Sequence, residues 1–210
     1  MKTKIITLAI VTCCWACLNQ AQAVPIIIEI TGEVTEGYGS IWGGDIHEGS
    51  ILTGIYTYES TTPNTSTHSE MGLYVLDSPY GMDFFVGGFE FKTAPSHSGQ
   101  FQITIFDNGP NLDSYEVRSY QNAPLSNGAT VGTFFWYLHG SNSTISSTDL
   151  PIVAPVLNQW QYGNILYIWG TDVQGRGYLI EGTATQAVLV PEPLTGVLLM
   201  AGVFLLRRRR

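Results

Sequence analysis

Chemistry in this chain would have to come from four histidines, a surplus of carboxylates, a set of aromatic residues and one turn rich in oxygen ligands. His47, His68, His97 and His139 are scattered, and none lies in a metal-ligand spacing such as His-Glu-x-x-His. No Gly-x-Ser-x-Gly pentapeptide offers the strained elbow of a hydrolase nucleophile. Glu90 and Glu116 are strand residues of the type that a glycosidase sets roughly 5 to 10 Å apart. With sixteen acids between residues 24 and 190, however, such a pair is expected by chance. These patterns point away from an enzyme, with no catalytic residue assigned. Exposed aromatic rings that stack on sugar faces are a stronger source of function. Trp136 and Trp169, set in strand runs, read as core, whereas Trp160 and Tyr162 sit in or beside a loop and are the carbohydrate-binding candidates. Asp107, Asn108, Asn111 and Asp113 supply hard oxygen ligands within one turn, which suits calcium as the single cofactor worth considering. Their spacing is not that of an EF-hand loop, and Asx residues crowd ordinary turns for backbone reasons.

The elements that would position these groups are strands. Ile26, Ile28 and Ile30 alternate with Ile27 and Glu29, and Phe101, Ile103 and Ile105 alternate with Gln102 and Thr104, so each run buries one face. Similar runs at 50–58, 71–76, 82–91, 114–120, 130–139, 165–169 and 177–187 bring the total to about nine strands. The pattern predicts an all-β fold, a single antiparallel β-sandwich of jelly-roll-like form. Gly87-Gly88 inside an aromatic run predicts a bulge. The cluster at 107–111 predicts a hairpin connection longer than the tight two-residue type, and the stretches 60–69 and 141–161, rich in Ser, Thr, Asn and Pro, predict surface loops.

The two ends are of a different kind. Lys2 and Lys4, an apolar stretch from Ile5 to Leu18 and the small-residue site Ala21-Gln22-Ala23 form a secretory signal peptide over residues 1–23. Cleavage after Ala23 by signal peptidase, following passage through the Sec machinery, is the expectation. A lipoprotein reading at Cys17 would need a lipobox, and Cys14 and Trp15 do not supply one. All three cysteines lie in that segment, so the remaining chain has no thiol for a disulfide, nucleophile or metal site. Residues 24–189 form the exported domain, long enough to bury a core without staples. Between 24 and 190 only Lys92, Arg118 and Arg176 oppose the sixteen acids, a net charge of −13 that excludes a nucleic-acid backbone binder.

At the other end, residues 190–210, Pro191-Glu192-Pro193 precedes thirteen uncharged residues, Leu194 to Leu206, and then Arg207, Arg208, Arg209 and Arg210. A helix of that length covers about 20 Å of a hydrocarbon core roughly 30 Å thick, with the arginines snorkelling to the cytoplasmic headgroups. This arrangement resembles the PEP-CTERM sorting signal of Gram-negative bacteria. The resemblance implies cutting near the motif by exosortase, a transpeptidase-like membrane enzyme. It also implies passage from the inner membrane to the cell surface or an extracellular polysaccharide matrix. A tail kept as a permanent anchor is the other reading of the same residues. Within the body, Ile30-Thr31-Gly32-Glu33-Val34-Thr35, Gly54-Ile55-Tyr56-Thr57-Tyr58 and Asp113-Ser114-Tyr115 are similar to pieces that recur in uncharacterised proteins of that group, and no activity comes with them. The expected role is structural or adhesive at the surface, with a secreted carbohydrate-binding module as the alternative.

Overall fold

The computed structural model describes residues 24–39, 44–96, 98–108 and 112–191. The signal segment with Ala21 and Ala23, together with Trp42, His97, Asn111, Glu192, Pro193 and Arg207 to Arg210, lies outside the described residues. No helix among the described residues is long and apolar enough to cross a membrane. Alternation of apolar and polar residues produces ten strands among the described residues. They are β1 (Pro25–Tyr38), β2 (Ile51–Glu59), β3 (Met71–Leu76), β4 (Gly81–Val86), β5 (Phe89–Lys92), β6 (Phe101–Phe106), β7 (Asp113–Ser119), β8 (Thr130–Gly140), β9 (Gly163–Thr171) and β10 (Gly177–Leu189).

All ten pair antiparallel in one sheet, in the order β3-β6-β7-β8-β9-β10-β1-β2-β4-β5. From β6 to β10 the chain meanders, each strand lying antiparallel beside its predecessor, even where the connection is long, as between β8 and β9. The long strands β1 and β10 then pair with each other and bring the two ends of the described chain together. The sheet curls over on itself, which forms the expected sandwich with ten strands rather than nine. Phe84 of β4 meets Phe134 of β8 edge-on with ring centres 5.9 Å apart, and Tyr56 of β2 lies 6.0 Å from Trp136 of β8. These strands are not neighbours in the sheet, so the contacts cross the core. A bridge between Thr93 and Asn122, with Thr93 Oγ1 2.8 Å from Ser119 Oγ, ties the two layers along one side. Ile26, Ile28 and Ile30, and Phe101, Ile103 and Ile105, are buried as their alternation requires.

One correction concerns Gly87-Gly88. These residues form a two-residue turn that splits the 82–91 run into β4 and β5, with Val86 opposite Phe89. Both glycines have positive φ, 55° and 81°, the requirement of the primed hairpin turns. A Cβ on Gly87 would lie 2.5 Å from the Ile46 side chain and 2.7 Å from the Asp45 carbonyl oxygen, so close packing adds to the conformational demand. The 107–111 cluster does lie in a hairpin connection between β6 and β7 longer than two residues. The 60–69 and 141–161 segments lie between strands, the latter with a short 3-10 turn at Leu157–Gln159. After Asp149 that second segment is apolar and half-sunk, with Leu150, Ala154 and Leu157 packed on the core.

Candidate functional site

Asp113 opens β7 and is fully buried. Its Oδ1 accepts the Asn108 N–H at 2.8 Å, and its Oδ2 accepts the N–H groups of Thr144 and Ile145 at 2.9 and 3.0 Å. Asp107 is engaged by the Asn108 side-chain amide at 2.6 Å. Through these bonds Asp113 ties the β6–β7 connection to the loop after β8, while Asn111 of the same turn lies outside the described residues. Among the described residues, no group of three or more His, Cys, Asp and Glu side chains is placed to hold a metal ion.

The aromatic candidates separate. Trp160 is 6% exposed and belongs to the core, so its ring is not presented as a platform. Its neighbour Tyr162 is 62% exposed, with its N–H bound to the His139 carbonyl at 3.0 Å. Trp136 is buried as expected and donates its indole N–H to Asn164 Oδ1 at 3.0 Å. Trp169, expected in the core, is 45% exposed. Its strand alternates with Leu166 and Ile168 inward, which turns Ile165, Tyr167 and Trp169 to the outer face. Several Trp169 ring atoms would come within about 3.1 Å of a Cβ built on Gly132, so the indole lies against bare backbone on one side. Glycine at 132 makes that seat possible.

Trp169 lies on the same face as a row of paired residues, two positions along β9 from its member Tyr167. On the outer face of the sheet Arg118 pairs with Phe135, Phe135 with Tyr167 and Tyr167 with Glu181, one residue from each of four adjacent strands. The Phe135 and Tyr167 rings stack at 5.1 Å and 19°. The Arg118 guanidinium lies 4.9 Å from the Phe135 ring centre, a cation–π distance, and 5.6 Å from that of Tyr120. Arg118 also forms an ion pair with Glu116, and burial pushes the Glu116 carboxyl above its usual range despite the pull of that guanidinium. Beside this row, Tyr137 and His139 lie with ring centres 4.6 Å apart and the phenol oxygen 2.6 Å from Nε2. The face thus combines ring surfaces with fixed polar groups, the composition that recognises amphipathic ligands such as sugars.

Glu90 and Glu116 are not brought into one acid–base site. Glu90 is paired with Lys92, which also reaches Asp83, while Glu116 is paired with Arg118. With Arg176 on Asp172, every basic side chain between residues 24 and 190 is held by a carboxylate. Period-two alternation alone missed Trp169 because both faces of β9 are apolar. The signal that could have found it is parity against Leu166 and Ile168. No protein-family model matches this chain, and neither a curated protein nor a solved structure does.

Proposed function

We propose that residues 24–191 are the body of an exported, non-enzymatic protein that exosortase sorts to the cell surface or the extracellular polysaccharide matrix, where it has a structural or adhesive role. The observation that carries this reading is the sequence pattern of the ends: a signal peptide before Val24, and Pro191-Glu192-Pro193 with an uncharged run and four arginines behind it. The Sec machinery, signal peptidase and exosortase are the partners it requires, with the inner membrane a transient station. The fold supports it by leaving Val24 and Pro191 beside each other, since Ser60 N–H binds the Val24 carbonyl and Val190 N–H binds that of Ile27. A domain built this way can be delivered on its tail and released without disturbing its core. Intact mass combined with cell fractionation tests the reading. A surface or medium species beginning at Val24 and ending near Pro191 is expected. An inner-membrane species that retains Arg210 would overturn sorting and make the tail a permanent anchor.

The second reading is a carbohydrate-binding module, favoured by the exposed Trp169 and the row from Arg118 to Tyr167. Trp169→Ala and Tyr162→Ala are the informative variants, because both residues are exposed and the fold survives their loss. Trp160→Ala would instead open a core cavity. Weaker retention of Trp169→Ala on the organism's own polysaccharide, with unchanged unfolding, supports the module; equal retention removes it.

A further inference from the structure

We propose that the end of the sandwich bearing both termini rests on a lipid bilayer surface, with Ile152, Val153 and Val156 as its lipid-facing residues; the inference rests on the membrane-inserted reading of residues 194–206 given above. The chain enters β1 at Pro25, opposite Glu59 at the end of β2, and leaves β10 at Leu189, opposite Ile28. Across this same end runs the segment after Asp149. Tyr58, one residue before the end of β2, donates to the Pro151 carbonyl at 2.5 Å and fixes the segment there. Leu150, Ala154 and Leu157 face inward onto the core, while Ile152, Val153 and Val156 are each more than half exposed. A groove of about 460 Å³ opens beside them, floored by Ile105, Tyr115 and Trp160. The apolar tip is therefore held outward by a well-packed base.

Composition singles this segment out. No Asp, Glu, Lys or Arg occurs between Asp149 and Asp172, in a body that otherwise carries a net charge of −13. Exposed apolar residues scattered singly need no explanation, but three within five positions at the chain exit do. Distance supplies the partner. From Pro191 to Leu194 is three residues, which span at most about 10 Å. With the uncharged run in the hydrocarbon, this end cannot leave the headgroup region, and an apolar tip there enters the 5 to 10 Å boundary that interfacial segments occupy. Tyr162, exposed on the strand-start side of the same loop, is a residue type that favours that boundary. Asp149 lines the groove beside the patch and Glu59 ends β2 next to Tyr58, so a zwitterionic surface fits this end better than an anionic one.

The test uses the chain from Val24 to Arg210, which holds the whole described fold and no cysteine. Val153→Cys, with Val156→Cys as a second reporter, carries an environment-sensitive fluorophore, and Val173→Cys at the β9–β10 turn serves as the control at the opposite end. Each is reconstituted in phosphatidylcholine vesicles containing a doxyl-labelled lipid. Quenching at least twofold stronger at 153 and 156 than at 173, with blue-shifted emission, is expected. Equal quenching at all three positions in a chain that floats with the vesicles overturns this inference alone. A chain that does not float overturns the membrane-inserted reading and this inference with it.

Discussion

At the scale of single residues, the informative groups are those whose surroundings leave no choice. The buried Asp113 carboxylate accepts three backbone N–H groups from two connections, and removing it leaves all three without that acceptor. Because a hydrogen bond to a charged group contributes roughly 1.5 to 3 kcal/mol and these donors are partly open to water, Asp113→Ala should lose about 2 kcal/mol or more in urea unfolding. Because backbone N–H groups already engage both Asp113 carboxylate oxygens, a chelator should leave the unfolding midpoint of the unaltered protein unchanged; a drop would assign calcium to this turn. Gly54 makes a second case. A Cβ there would lie 2.1 Å from a Phe84 ring atom and 2.5 Å from the Asp83 carbonyl oxygen, so the glycine is the seat of an aromatic ring from the neighbouring strand. Gly54→Ala should cost about 1 to 3 kcal/mol by overpacking, read in the same unfolding assay. The side of a strand that each residue faces was legible for Ile26 to Ile30 because their neighbours are polar. For Trp160 and Trp169 it was not: one lies in a loop that folds back into the core, the other on a strand apolar on both faces.

At the scale of elements, strands were recoverable from alternation, and turns only where their chemistry is unambiguous. Gly87-Gly88 is compatible with a bulge or a primed turn, and the choice is made by the close contact with Ile46 and by the pairing of Val86 with Phe89. The Ile46 contact, about forty residues away in sequence, cannot be read locally. The β9–β10 connection depends on Asp172, whose Oδ1 accepts the N–H groups of Gln174 and Arg176 at 2.9 and 2.8 Å and whose Oδ2 accepts Arg176 Nε at 2.6 Å. Burial alone would raise this carboxyl, but those N–H groups and the guanidinium outweigh it and hold it below the usual range. A carboxyl with a lowered folded-state pKa contributes stability that is complete above its unfolded value of about 3.9 and lost as pH falls through the folded one. Asp172→Asn should therefore lower the melting temperature by a few degrees at pH 7. The difference from the unaltered protein should begin to shrink below about pH 4 and disappear only once the pH falls below the lowered folded-state value, where both carry an uncharged side chain. A difference that persists undiminished at acid pH would assign the turn's stability to geometry rather than charge.

At the scale of the whole molecule, the first and last strands pair with each other in the middle of the sheet, and this links the fold to the proposed processing at the tail. The C-terminal part of β10, from Thr183 to Leu189, has no register partner on β9 and pairs with β1 from Glu33 back to Ile28. Val190 then donates the last bond, to the Ile27 carbonyl, while Pro191 has no N–H to give. The ladder therefore ends at Pro191, where the proposed sorting motif begins. Removing residues beyond Pro191 should leave the fold intact, so chains ending at 191 and at 210 should share one unfolding midpoint. A chain ending at Gly182 would instead free one side of β1 over its first half, next to the buried Ile28 and Ile30. An unpaired apolar edge of that length invites pairing between chains. The shorter chain should aggregate or show rapid amide exchange from Ile27 to Glu33, and a soluble chain that stayed protected there would show that β1 and β2 hold together without β10. Sequence alternation placed these two strands, but their mutual pairing spans almost the entire body and leaves no local trace.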